Sequence, residues 1–354
     1  MVIYGKIMYV KKTMSEGEEW MDNTRLPTDK AKEKSLVISY LRAIAIILVI
    51  IHHSMSYGIG YIGEPGGVYM GFLEVINCVH VPLFFMISGY LCRAQSVSGY
   101  YRKKLLHILV PFFVFSSVKL AYNLMFEGFG HSDSVGGEFL SAYVFGEYYW
   151  FSYALMLMFL AAPLLWKIKS KVGLIATLSG VLVVNITGGF LDFLPQGEVF
   201  QIDRAFVFSS WFLFGYVLKQ LDAKRVFEDK KWKNILLVAS VLISVPFVFL
   251  YTGGYLNNFL GKFVLSLSLS YPLLYGVSFI KVRISALDMI SKYSYQLFLL
   301  DSFVKVILFA LLSKILPVNL PVIILIAILN IALSTLACDL IRRIKYVRLL
   351  IGLN

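Results

Sequence analysis

The chain has 354 residues, 58% of them hydrophobic and 15% charged, with a formal net charge of +12 and a mean hydropathy of +0.75. That is more apolar surface than a soluble domain can hide, so a soluble fold is excluded and an all-α polytopic membrane protein is expected. The positive charge does not point to nucleic acid, because Lys and Arg fall in short connections between apolar stretches, where they report topology.

The first 34 residues are polar and Lys-rich, with no apolar core ending in a small-residue cleavage site, so no cleavable signal is expected. Ten apolar stretches follow, at roughly 36–56, 74–92, 105–125, 149–166, 172–190, 204–218, 234–251, 259–280, 289–313 and 320–341, each read as a transmembrane helix. Placing the N-terminus in the cytoplasm puts 27 of the 33 Lys and Arg residues in inside segments and only Lys262 and Lys314 in outside ones, so both termini are expected to be cytoplasmic. The outside loops instead carry acids, among them Glu64, Asp133, Asp192 and Glu198. The expected organisation is a polar basic N-terminal segment over 1–34, a transmembrane domain over 35–342 and a short basic cytoplasmic tail over 343–354, with no repeat and no second folded domain. Cys78, Cys92 and Cys338 have no metal-ligand spacing and read as small core residues, so no metal site is expected.

The first span, SLVISYLRAIAIILVIIHHSMSY over Ser35–Tyr57, carries Arg42 near one end and His52 and His53 near the other. Arg42 and His53 are eleven residues apart, which on a helix returns to within roughly 20° of one face with about 16 Å between them along the axis. His52 points about 100° away from His53. One face thus presents a cation toward the cytoplasm and an imidazole toward the other side. Imidazole suits proton transfer near neutral pH, which makes His53 a candidate general base with Arg42 as its cationic companion. The alternative is that Arg42 snorkels to the headgroups and both histidines are polar edges at the opposite interface.

In the second span Glu74, Asn77 and Ser88 form a polar stripe, and Ser88-Gly89 suits the close approach of another helix. Ahead of Pro111, Arg102, Lys103, Lys104 and His107 crowd the cytoplasmic entrance of the third span, either as a topological anchor or as a seat for phosphates arriving from the cytosol. The fourth span opens on an aromatic belt that includes Trp150, which by itself explains those rings, and Glu147 sits at its lip, where a carboxylate could orient an imidazole or hold a sugar hydroxyl, or be a solvated loop residue. Arg204 follows Asp203 at a helix start, as a ligand contact or as half of an interfacial pair. Asp301 and Lys305 have the i,i+4 spacing of a pair that neutralises itself within one helix.

These blocks resemble the acyltransferase-3 family, bacterial integral membrane enzymes that O-acylate surface polysaccharides and related glycans. LRAIAIILVIIHH fits the family's signature of Arg, ten residues and His, mapping it onto Arg42 and His53 and leaving His52 as an extra; FFMISGYL, WFSYAL with Pro163 following, WFLFGYVL and KYSYQLFLL fit further blocks in order. Two positions depart from the family pattern. A frequent Arg-x-x-Arg pair reads Lys104-Leu-Leu-His107, and a frequent ninth-span histidine is Asp301. The resemblance implies a bacterial inner-membrane O-acetyltransferase with no permanently bound cofactor. It would take acetyl, or another acyl group, from cytoplasmic acyl-CoA to a surface glycan or lipid-linked sugar. His53 would serve as general base or as an acyl carrier, and Arg42 would position the donor. Arg102, Lys103, Lys104, His107, Glu147, Trp150 and Arg204 are the expected substrate contacts. Ten spans with intramembrane charges also suit a transporter of a polysaccharide precursor, although neither repeats nor paired broken helices are visible. A receptor whose charges only join helices is the third possibility.

Overall fold

The computed structural model describes residues 29–127, 134–188, 199–221 and 229–353, which excludes Asp133, Asp192 and Glu198. Every regular element among them is helical. The long elements are α1 (Asp29–Ile62), α2 (Gly67–Leu91), α3 (Val97–Met125), α5 (Trp150–Lys167), α6 (Lys171–Thr187), α7 (Ile202–Gln220), α8 (Lys230–Thr252), α9 (Phe259–Val277), α11 (Ser294–Leu312) and α12 (Leu320–Ile341). Short helices α4 (Val135–Phe145), α10 (Ser285–Lys292) and α13 (Lys345–Leu350) lie between or beyond them. Among the described residues eight helices are long and apolar enough to cross a membrane. The other two stretches read as spans form α6, which is short, and α7, which starts with Asp203 and Arg204 and ends with Lys219.

The helices are made by unbroken apolar sequence and closed by polar caps: Asn258 accepts from the Gly261 amide at the start of α9, and Asn319 from the Val322 amide at the start of α12. Two sequence expectations are corrected. The first span does not stop near residue 56; α1 continues one and a half turns further, to Ile62, because Gly58 and Gly60 lie inside the helix without ending it. The stretch 289–313 is not one helix, since the backbone leaves helical geometry at Tyr293 (φ −98°, ψ 10°) and separates α10 from α11.

Helices α2 and α7 cross at close range. A Cβ at Gly89 would overlap the Phe212 carbonyl, and one at Gly215 would overlap the Met86 carbonyl, so each backbone fits against the other only because both positions are glycine. Trp211 is fully buried beside this crossing and donates its indole N–H to Ser266 Oγ at 2.6 Å. The last residues are not a loose tail. Gln296 donates to the Ile351 carbonyl at 3.0 Å, Ile351 and Leu353 are buried, and Gly352 (φ +70°) sits against Pro111 and the His107 backbone. That backbone belongs to a π-helical turn, Leu105–Leu109, within α3.

Candidate active site

Helices α1, α11 and α12 meet around a buried polar chain. His53 Nδ1 lies 2.6 Å from Asp301 Oδ2, Asn330 Nδ2 donates to Asp301 Oδ1 at 2.7 Å, and Ser334 Oγ donates to Asn330 Oδ1 at 3.0 Å. Lys305 Nζ, one turn along α11, is 3.6 Å from the same Oδ2. Asp301 is 1% exposed, and Asn330 and Ser334 are fully enclosed. With a cation and an amide donor both turned toward it, Asp301 acts as an ionised acceptor, so the proton between it and His53 belongs to the imidazole Nδ1. In the neutral imidazole this leaves the lone pair on Nε2, on a side chain that keeps 32% of its surface exposed. A buried carboxylate fixing the tautomer of a reachable imidazole is the arrangement of a general base.

Depth is part of the geometry. His53 lies nine residues before the end of α1, Asp301 eleven before the end of α11, and Asn330 ten after the start of α12. All three therefore sit about 13 to 16 Å in from the same end of the bundle. The histidines thus lie well short of the end of α1, which runs on past its most apolar stretch.

His52 faces other partners. Its ring stacks on that of His80 at 4.7 Å and meets His53 at 5.9 Å, and its Nδ1 is enclosed without a hydrogen bond. His80, 2% exposed, donates Nδ1–H to the Ile76 carbonyl at 2.7 Å. Three histidines are thus gathered where the sequence drew attention to two. Toward the opposite end of α1, Arg42 is half-buried, its Nε is enclosed without a hydrogen bond, and no acid among the described residues pairs with it. Continuous helix from Asp29 to Ile62 keeps the spacing argument for Arg42 and His53 intact.

The model of the acyltransferase-3 family, described as an acyltransferase domain, matches residues 36–339. The chain belongs to the acyltransferase-3 family. With its long apolar helices, this acyltransferase-3 protein is a multi-pass membrane acyltransferase. No curated protein and no solved structure matches it.

The remaining candidates of this acyltransferase fall into two groups. Near the start of α3, Arg102 and Lys103 are exposed, whereas Lys104 turns inward, its Nζ 3.4 Å from the Phe159 ring centre and 5.6 Å from that of Tyr100. His107 is half-buried in the π-helical turn. The basic cluster is therefore split, with two cations facing out and one held against aromatic rings. At the other end, Arg204 Cζ lies 5.1 Å over Trp150, which in turn packs against Phe208 at 5.4 Å. Glu147 occupies the 3-10 turn immediately before Trp150.

Sequence reasoning missed the partnership of His53 with Asp301 and assigned nothing to Asn330 or His80. A signal existed for each: an acid inside a span, an asparagine in the most apolar helix and a histidine before VPLFF are all costly in a membrane without a role.

Proposed function

We propose that this protein is a bacterial inner-membrane O-acetyltransferase that moves acetyl from cytoplasmic acetyl-CoA to a hydroxyl of an exported glycan or lipid-linked sugar. It would have ten spans and both termini in the cytoplasm. The observation that carries the reading is the His53–Asp301 pair, which turns Nδ1 of His53 to the carboxylate; His53 shares its helix with Arg42, whose Nε is enclosed without a hydrogen bond. His53 Nε2 takes the proton of the sugar hydroxyl, and the hydroxyl oxygen bonds to the thioester carbonyl carbon. The carbon–sulfur bond then breaks, and the proton passes from the imidazolium to the CoA thiolate. Arg42 holds the donor: a half-buried guanidinium that no described acid pairs suits a phosphate, or the thioester carbonyl as negative charge develops on it. Arg102, Lys103 and His107 supply the entrance on the donor side, and Glu147, Trp150 and Arg204 meet the acceptor. Family membership favours this over transport of a precursor.

Vesicles of defined orientation test the reading, because acetyl-CoA does not cross a bilayer. Inverted vesicles given labelled acetyl-CoA and carrying luminal acceptor should acetylate it, and sealed right-side-out vesicles should not. His53→Ala should remove the activity, with a loss on the order of 10²-fold or more, while His52→Ala retains most of it. Acceptor movement without acetylation would indicate a transporter.

A further inference from the structure

Asp301 serves His53 only while α11 keeps one rotation about its own axis. Turning the helix by about 20° would carry a carboxylate roughly 5 to 6 Å from that axis through about 2 Å, enough to break a hydrogen bond of 2.6 Å. Lys305 cannot hold the rotation, because it sits on the same helix. Asn330 holds it from α12. A second hold comes from the turn that opens α5. There the chain leaves helical geometry, with Gly146 at positive φ (66°), a 3-10 turn over Glu147–Tyr149, and Tyr149 itself at φ −143° and ψ 52°. Tyr149 is 3% exposed and meets the Phe298 ring edge-to-face at 5.9 Å. It donates its hydroxyl to the Leu299 carbonyl at 3.0 Å, with Ser302 Oγ 3.4 Å away. Leu299 and Ser302 bracket Asp301 in the sequence. The first turn of α5 meets α11 again at Ser152, whose Oγ is 3.1 Å from the Tyr295 hydroxyl, itself donating to the Ile108 carbonyl at 2.9 Å.

A buried tyrosine hydroxyl needs a partner, and this one takes it from the turn of a neighbouring helix that carries the acid. We infer that Tyr149 is a positioning residue: its hydroxyl, bonded to Leu299, fixes the rotation of α11 and so keeps the Asp301 carboxylate on His53 Nδ1. The side chain is too enclosed to meet a substrate, so it acts through Asp301 and not on the reacting atoms. Its effect on rate rests on the acyl-transfer reading; its effect on the hydrogen bond between His53 and Asp301 does not.

Two measurements test this, one of them without turnover. Full-length protein carrying isotope-labelled histidine in lipid nanodiscs would be read by nitrogen NMR at a pH where His53 is neutral, its signal assigned by its loss in His53→Ala. Wild type should show the Nδ1-protonated tautomer alone, and Tyr149→Phe a mixture of both tautomers. 4-Aminophenylalanine at position 149, which returns an N–H donor to the same place, should restore the single tautomer. In inverted vesicles Tyr149→Phe should lower kcat by about 10- to 100-fold with KM for acetyl-CoA unchanged. Combined with Asp301→Asn, it should deepen the loss that Asp301→Asn causes alone by no more than about twofold, whereas the losses from a merely structural effect would multiply. Wild type without the Nδ1-protonated form, or Tyr149→Phe with that form alone, overturns the inference. So do losses that multiply in the double variant, or a Tyr149→Phe kcat within about threefold of wild type. If Tyr149→Phe does not fold, 4-fluorophenylalanine at position 149 fills the space of the hydroxyl without donating and is read in the same way. Absence of transfer by wild type would count against the enzymatic reading, while the tautomer still decides the role of Tyr149.

Discussion

Asp301 is approached by three donors, and their distances rank them: His53 at 2.6 Å and Asn330 at 2.7 Å are hydrogen bonds, whereas Lys305 at 3.6 Å is a looser electrostatic neighbour. The carboxylate therefore serves the imidazole first. Asp301→Asn should lower kcat by about 10²- to 10⁴-fold with little change in KM for acetyl-CoA, because an amide that donates to Nδ1 leaves the proton on Nε2, the wrong tautomer for a base. Initial rates at varied acetyl-CoA in inverted vesicles measure this, and a kcat within threefold of wild type would remove Asp301 from the positioning role. Arg42 and His53 were legible in sequence because both lie on one helix, where spacing fixes direction. The Asp301 partnership was not, because His53 and Asp301 are 248 residues apart. The local i,i+4 spacing to Lys305 offered a nearer explanation that is true but incomplete.

Helix pairs carry a different kind of information. Ser88-Gly89 suggested close approach in the sequence, and Gly89 does meet α7, with Gly215 returning the same contact from the other side. Replacing either glycine by alanine forces a methyl into a carbonyl, not into a flexible side chain, so neither backbone can yield without separating the helices. Gly89→Ala and Gly215→Ala should each destabilise the protein by at least about 1 to 3 kcal/mol. Thermal unfolding of detergent-solubilised protein followed by tryptophan emission reads this, since Trp211 sits beside the crossing. An unchanged midpoint for both variants would show that the contact is not tight. Helix ends were less legible than helix contacts. Hydropathy marks where lipid contact stops, but α1 keeps its hydrogen bonds beyond that level, and the break at Tyr293 lies within sequence that stays helix-compatible. The chain just after α13 lies against Pro111 and the His107 backbone through Gly352 at positive φ, which no periodicity announces.

At the scale of the molecule, composition alone gave the membrane class, and the ordered blocks gave the family; the arrangement of the helices around His53 required the fold. On the proposed acyl-transfer reading, that arrangement sets a limit on the acceptor. On that reading, a hydroxyl reaching His53 Nε2 has to descend about 13 Å from the end of α1, in a bundle where two glycines hold α2 and α7 close together. A long polysaccharide lying across the membrane surface cannot lower one interior unit that far without dragging its neighbours into the bundle and stripping water from their hydroxyls. A free chain end, or a single repeat unit still on its carrier, enters without that cost. Mass mapping of acetyl groups on a preformed polymer treated with enzyme should find them on terminal units only, and an even distribution along the chain would contradict the depth of the site. If the acceptor is the proposed glycan, a mature polymer acetylated on every repeat would have been modified before polymerisation, and the depth of the site would act as a clock as well as a catalyst.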